Sequence, residues 1–161
     1  MKKRGRPMVY NEVEILKEIH RLKALTVNQI AQLYFNGKIE NAYKKIKKME
    51  EKHYIDSTIH FVQGRRQNKV LHLTKLGSER LVSEGVKGIR VKTTTELKPD
   101  RSLLHYIVSV NDVFVRLMKA GISVIDSREW KARHGMNRTA RARGGVKLKN
   151  GDEYGWLLHV H

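Results

Sequence analysis

From Thr26 to Gly77 the hydrophobic period of this chain changes once, from the 3-and-4 spacing of short helices to the β-branched runs of a hairpin. That change restricts the surfaces the segment can build. Upstream, Asn11 is placed to cap a first helix, with Glu12 and Glu14 in its first turn and Val13, Leu16, Ile19 and Leu22 along one apolar face. Thr26 and Gln29 then form a capping-box pair that opens a second helix with Val27, Ile30 and Leu33 inward, and Asn36-Gly37 ends it. A third helix over about Ile39 to Lys52 carries Ile39, Ala42, Ile46 and Met49 as a buried stripe and Asn41, Lys44, Lys45 and Lys48 on the opposite side. Glu40, Glu50 and Glu51 lie close enough to pair with these lysines at i,i+4. His53, where the chain must turn out of that helix, belongs to a residue type that tolerates positive φ.

Ile55 to Val62 and Lys69 to Leu73 are strand-like runs joined by Gln63-Gly64-Arg65-Arg66-Gln67-Asn68, a hairpin with a cationic tip. Leu73-Thr74-Lys75-Leu76-Gly77 opens a fourth helix that runs through Leu81 and Val82 to Gly85. Helix, helix, helix, hairpin, helix is winged helix-turn-helix order, and the order is more specific than any one motif in it. In that arrangement Asn41, Lys44, Lys45 and Lys48 enter a major groove, where Asn can bond adenine and Lys can bond guanine or phosphate. Arg65, Arg66 and Lys69 then meet the adjacent backbone or minor groove. The alternative for the lysine face is simple solvation.

Charge supports a polyanionic partner: 33 Lys and Arg against 16 Asp and Glu leave +17 on 161 residues. An excess of this size neutralises phosphates and releases counterions, so affinity for nucleic acid falls steeply with salt. No apolar run approaches the roughly 18 residues that span a bilayer, which argues against a membrane partner. The absence of cysteine removes disulfides, thiolate nucleophiles and cysteine zinc sites. The basic start, Met1 to Pro7, is followed by no apolar stretch of a secretory signal, so a cytoplasmic protein is expected. Within it, Arg4-Gly5-Arg6-Pro7 has the form of an AT-hook, whose arginines suit a narrow A·T minor groove. A basic arm on phosphates and a solubilising tail are the alternatives.

The chain divides into an arm (1–10), the winged unit (11–86), a polar linker with Thr93-Thr94-Thr95 (87–99) and a small α/β unit (100–161). In the last, Asp100 caps a helix bearing Leu104, Val113 or Phe114, and Leu117, which ends at Gly121. A strand over Ile122 to Asp126 leads to Ser127-Arg128-Glu129-Trp130. Val146 to Lys149 and Tyr154 to Val160 flank Asn150-Gly151, a two-residue hairpin signal. Between Arg128 and Lys149 stand Arg128, Lys131, Arg133, Arg138, Arg141, Arg143, Lys147 and Lys149 against the single acid Glu129.

Thr26-Val-Asn-Gln-Ile-Ala, Leu73-Thr-Lys-Leu-Gly77, Leu104-His105, Val110-Asn111-Asp112-Val113 and Arg128-Glu129-Trp130 together resemble the replication-relaxation family. The resemblance covers most of the chain, and the helix with His105, Asn111 and Asp112 is its more specific part. It implies a winged-helix DNA-binding protein of a plasmid or other mobile element.

Catalysis is not expected. Glu129 and Asp152 invite a metal-dependent nuclease, yet no Lys follows Asp152 at the required spacing and no tyrosine accompanies a His pair as strand nicking needs. His159 and His161 could hold a metal if His105 approached, but His105 reads more simply as a core or interface histidine bonded to backbone. Asp112 could pair with Arg116 one turn on, while Asn111 and Asp112 could brace a neighbouring loop. The expectation is therefore an α+β protein without cofactor or metal that binds duplex DNA, by default as a homodimer, in replication control or transcriptional regulation of a plasmid or phage. A replication or mobilisation protein is a further partner. A low-specificity architectural protein, an RNA binder, a module docking an acidic protein and a degenerate nuclease are the other classes.

Overall fold

The computed structural model describes residues 12–67, 69–136 and 144–156. The expected cap at Asn11, the arm with Arg4 and Arg6, Arg138, Arg141 and Arg143, and His159 and His161 lie outside the described residues. The chain is a mixed α and β structure. Helix α1 (Glu12–Leu22) has Glu12 and Glu14 in its first turn and His20 and Arg21 in its last, each sign opposing the dipole at its end. Its apolar side, Val13, Ile15, Leu16, Ile19 and Leu22, is buried.

Two residues of strand, β1 (Leu25–Thr26), precede α2 (Val27–Tyr34). Sequence periodicity does not reveal β1 because two residues carry no period. Thr26 does both jobs: it pairs with Val70 in the sheet and caps α2. Its hydroxyl accepts from the Gln29 amide at 3.1 Å, and the Gln29 side-chain oxygen accepts from the Thr26 amide at 2.9 Å, the expected capping box. Asn36 and Gly37, with φ of 55° and 79°, turn the chain into α3 (Ile39–Glu51). Ala42, Ile46 and Met49 are fully buried, but Ile39, at the open start of the helix, is 40% exposed and is not part of the stripe.

After α3, His53 adopts the anticipated positive φ, 59°. The first expected strand, Ile55 to Val62, is interrupted. It forms β2 (Ile55–Thr58) and, after Ile59 and His60, β3 (Phe61–Val62). On the return, β4 (Arg65–Arg66) pairs with β3 and β5 (Val70–Leu73) pairs with β2. Strand β5 lies between β1 and β2 in an antiparallel sheet of order β1-β5-β2, and all four of its residues are buried. Helix α4 (Lys75–Ser83), capped by Thr74, covers the sheet with Leu81. The polar stretch expected as linker contains a helical turn, α5 (Thr94–Leu97), closed by a capping box between Thr93 and Glu96.

Asp100 accepts from the Ser102 amide and caps a single 3-10 turn, Arg101–Leu103, which runs into the long helix α6 (Leu104–Lys119). Val110 and Phe114 of α6 enter the same core as Leu16, Ile30, Ile46 and Leu71. The polar residues between them fix the docking. Asn111, 3% exposed, donates to the carbonyls of Leu22 and Ala24 at 3.0 and 2.6 Å, satisfying backbone left open where α1 ends. Asp112 accepts from Gln29 at 2.8 Å instead of pairing with Arg116.

Strand β6 (Ser123–Asp126) is joined to α1 by Arg21, which donates to the Val124 carbonyl at 2.5 Å and lies 3.7 Å from Asp126. The residues after it form a helix, α7 (Ser127–Arg133), capped by Asp126, which is too short to show a helical period in the sequence. Strands β7 (Gly144–Lys147) and β8 (Glu153–Trp156) complete an antiparallel sheet of order β6-β7-β8. Gly145 and Gly155 are register partners, and Trp130 of α7 lies over both; an added Cβ would come within 2.1 and 2.7 Å of its ring. The hairpin turn is longer than the two residues expected at Asn150-Gly151. Leu148 donates to the Asp152 carbonyl, and among the turn residues Gly151 alone has positive φ, 91°, so a two-residue type I′ turn, which needs two such residues, does not form.

Candidate nucleic-acid interface

Helix α3 presents two kinds of lysine. On the side toward α1, Lys45 is half-buried and stands 3.6 Å from Glu12, to which Lys52 also donates at 2.8 Å. Burial pushes the Glu12 carboxyl up, but Lys52 and Lys45 outweigh it and hold its pKa below the ordinary value. At the other flank, Glu50 takes Lys69 at 2.6 Å. The i,i+4 pairs expected of Glu40, Glu50 and Glu51 with the helix lysines do not form. Lys44 and Lys48 are exposed and have no ion pair among the described residues, and Asn41 is exposed about one turn before Lys44. Lys47, which the sequence pattern does not single out, shares this exposure, as does Tyr43 at 42%. Counting outward from the stripe of Ala42, Ile46 and Met49 places Lys44 and Lys47 near the opposite face. Exposed Glu40 and Glu51 stand on the same outer side.

The ribbon of β3 and β4 turns through Gln63 and Gly64, with φ of 50° and 74°. Two left-handed residues make a type I′ turn, whose twist matches that of the strands it joins. Arg65 and Arg66 are therefore not in the tip but just beyond it, in β4, both exposed and opposite Val62 and Phe61. Side chains alternate along a strand, so the two guanidiniums leave opposite faces of the ribbon. Phe61 and Ile59 are 56% and 43% exposed at its base.

Beneath that base lies a histidine pair. His60 is 4% exposed, neither ring nitrogen has a hydrogen-bond partner, and its ring stacks on that of His105 with centroids 6.1 Å apart. Burial, and secondarily His105, holds the His60 pKa below its ordinary value. His105 itself is exposed, not a core residue; its backbone carbonyl, rather than its ring, takes the bond from Ser109.

The residues weighed for catalysis are engaged otherwise. Glu129 accepts from Arg133 at 2.6 Å, Arg133 also reaches Glu153 at 2.7 Å, and the Asp152 carboxylate accepts from Asn150 at 2.9 Å. Among the described residues no group of three or more His, Asp or Glu could hold a metal, and no helix is long and apolar enough to cross a membrane.

No curated protein and no solved structure matches the chain at a significant level. The family model described as replication-relaxation does, over residues 16–159, which takes in α1 from Leu16 onward, the ribbon, and the helix bearing Asn111 and Asp112. This chain therefore belongs to the replication-relaxation family.

Proposed function

We propose that residues 12–83 work as a winged helix-turn-helix that binds duplex DNA in the replication, or replication control, of a plasmid or other mobile element. Helix α3 would enter the major groove with Asn41, Lys44 and Lys48, joined by Lys47. Ribbon residues Arg65 and Arg66 would meet the adjacent backbone or minor groove. Order and pairing support the reading: helix, short strand, two helices, then an interrupted hairpin, β2 and β3 returning as β4 and β5, whose last strand β5 also pairs with the short strand β1. Family membership supports the link to replication.

The observation that carries it is the division of charge around α3. Glu12 and Glu50 are taken by Lys45, Lys52 and Lys69, so these lysines serve the fold and their charge is partly cancelled. Lys44, Lys47 and Lys48 face solvent without such partners, which suits phosphate contacts and base edges. On this reading the protein acts in the cytoplasm as a homodimer on paired half-sites, since a second copy multiplies specificity.

The test is selection of bound duplexes from a random-sequence pool at physiological salt. An enriched repeat or palindrome is expected, and Lys44→Glu with Lys48→Glu should abolish it. Enrichment that survives this double reversal removes α3 from the reading. Binding without enrichment would replace sequence recognition by an architectural role.

A further inference from the structure

A concavity lies away from α3 and the ribbon. It is a pocket of about 580 Å³ between the end of α1, the segment at 88–92, the inner face of α6 and the start of α7. Val110 and Phe114 line its apolar side. Its polar side is cationic: Arg21, Lys23, Arg90, Lys92, Arg128 and Lys131 against one acid, Asp126. That acid is already committed, since it caps α7 through the Glu129 amide at 3.0 Å and lies 3.7 Å from Arg21. Arg90, Lys92 and Arg128 have no ion pair among the described residues.

Like charges converging on a concave, partly desolvated surface repel one another, and low-dielectric walls focus their field. An anion in the pocket relieves that repulsion, and the volume lies within the range of small-ligand sites. His20 stands in the same wall. Burial first, then Arg128 and Lys92, hold it below its ordinary pKa against the opposing pull of Asp126.

We propose that this pocket binds a small phosphate-bearing ligand of nucleotide size, with its phosphates between Lys92, Arg128 and Arg90. Guanidiniums grip phosphate oxygens in pairs, and an ammonium adds a point charge. The site shares no residue with α3 or the ribbon, so it stands or falls separately from the duplex-binding reading. Occupancy raises the His20 pKa, because an anion beside it favours the imidazolium.

Calorimetric titration of the full chain at physiological salt with inorganic pyrophosphate, ATP and adenosine tests the proposal. Pyrophosphate and ATP should bind and adenosine should not. Lys92→Glu with Arg128→Glu should weaken pyrophosphate binding at least about tenfold, the scale of a lost charge-assisted hydrogen bond. Lys147→Glu with Lys149→Glu makes the same change in net charge outside the pocket and should alter it less than about twofold. In the unsubstituted protein, pyrophosphate should raise the His20 pKa read by NMR. Equal losses in the two double variants would reduce the effect to overall charge and overturn the site. Failure of pyrophosphate to bind, adenosine binding as tightly as ATP, or an unmoved His20 would overturn it as well.

Discussion

The side-chain amide of Gln29 donates to Asp112 at 2.8 Å, joining α2 to α6 across 83 positions of sequence. The same amide nitrogen reaches the Val108 carbonyl at 3.0 Å, while the oxygen of that side chain completes the capping box with Thr26. One buried residue thus starts a helix and docks another. Gln29→Leu should cost about 2–3 kcal/mol by urea denaturation, because it strands the Thr26 amide and removes the donor to Val108 and Asp112. Asp112→Ala should cost about 1 kcal/mol, since Val108 still receives the amide. Equal effects would mean that the bridge to Asp112, not the cap, accounts for the stability at this site.

Asn111 is the stronger lock. Its amide serves two carbonyls at the end of α1 and is almost fully buried. Asn111→Leu keeps the approximate volume but leaves both carbonyls without that donor, so a loss of about 2–4 kcal/mol in urea is expected. A loss below about 0.5 kcal/mol would show that water replaces the amide.

Trp130 fills the space above Gly145 and Gly155 because neither carries a Cβ. Gly145→Ala should displace the indole, red-shift its fluorescence and destabilise the sheet by about 1–3 kcal/mol, the range for overpacking. Trp156, the second of the two tryptophans, is best replaced by Phe in both proteins so that the spectrum reports Trp130 alone. An unchanged spectrum would place the ring elsewhere.

The histidine under the ribbon gives stability a pH dependence of definite sign. A buried His60 with lowered pKa binds fewer protons folded than unfolded, so stability rises with pH in that window. Its contribution is complete above the unfolded value near 6.5 and is lost as pH falls through the folded value. His20, also lowered, acts in the same direction. His60→Leu should flatten this slope and raise stability at pH 7 by about 1 kcal/mol, because two unpartnered ring nitrogens leave the interior. A slope unchanged by the substitution would assign it to His20.

For duplex binding, salt dependence separates the two classes of lysine. Lys44→Glu with Lys48→Glu should lower the slope of log affinity against log salt by about 2, one for each phosphate that is no longer neutralised. Lys45→Ala and Lys69→Ala should lower stability more than they lower that slope, because their ammoniums face Glu12 and Glu50. Identical slopes for both sets would erase the distinction on which the proposed interface rests.

Much of the local structure was legible in the residues. Thr26 and Gln29 announce their capping box by type and spacing, and His53 takes the left-handed turn expected after a lysine-rich helix. Such features depend on neighbours within a turn of chain. The family resemblance was legible too, through the helix containing Asn111 and Asp112.

Partners remote in sequence were not. That Lys45 and Lys69 spend their charge on Glu12 and Glu50, that Asp112 turns to Gln29 instead of Arg116, and that His105 lies outside against His60 follow from which elements meet. Period and capping residues determined where the longer helices lie, because backbone hydrogen bonding and burial of one face are local demands. Tertiary packing alone decided which charges are cancelled and which remain open, because ion pairing depends on distances of a few ångströms between segments that the sequence keeps far apart.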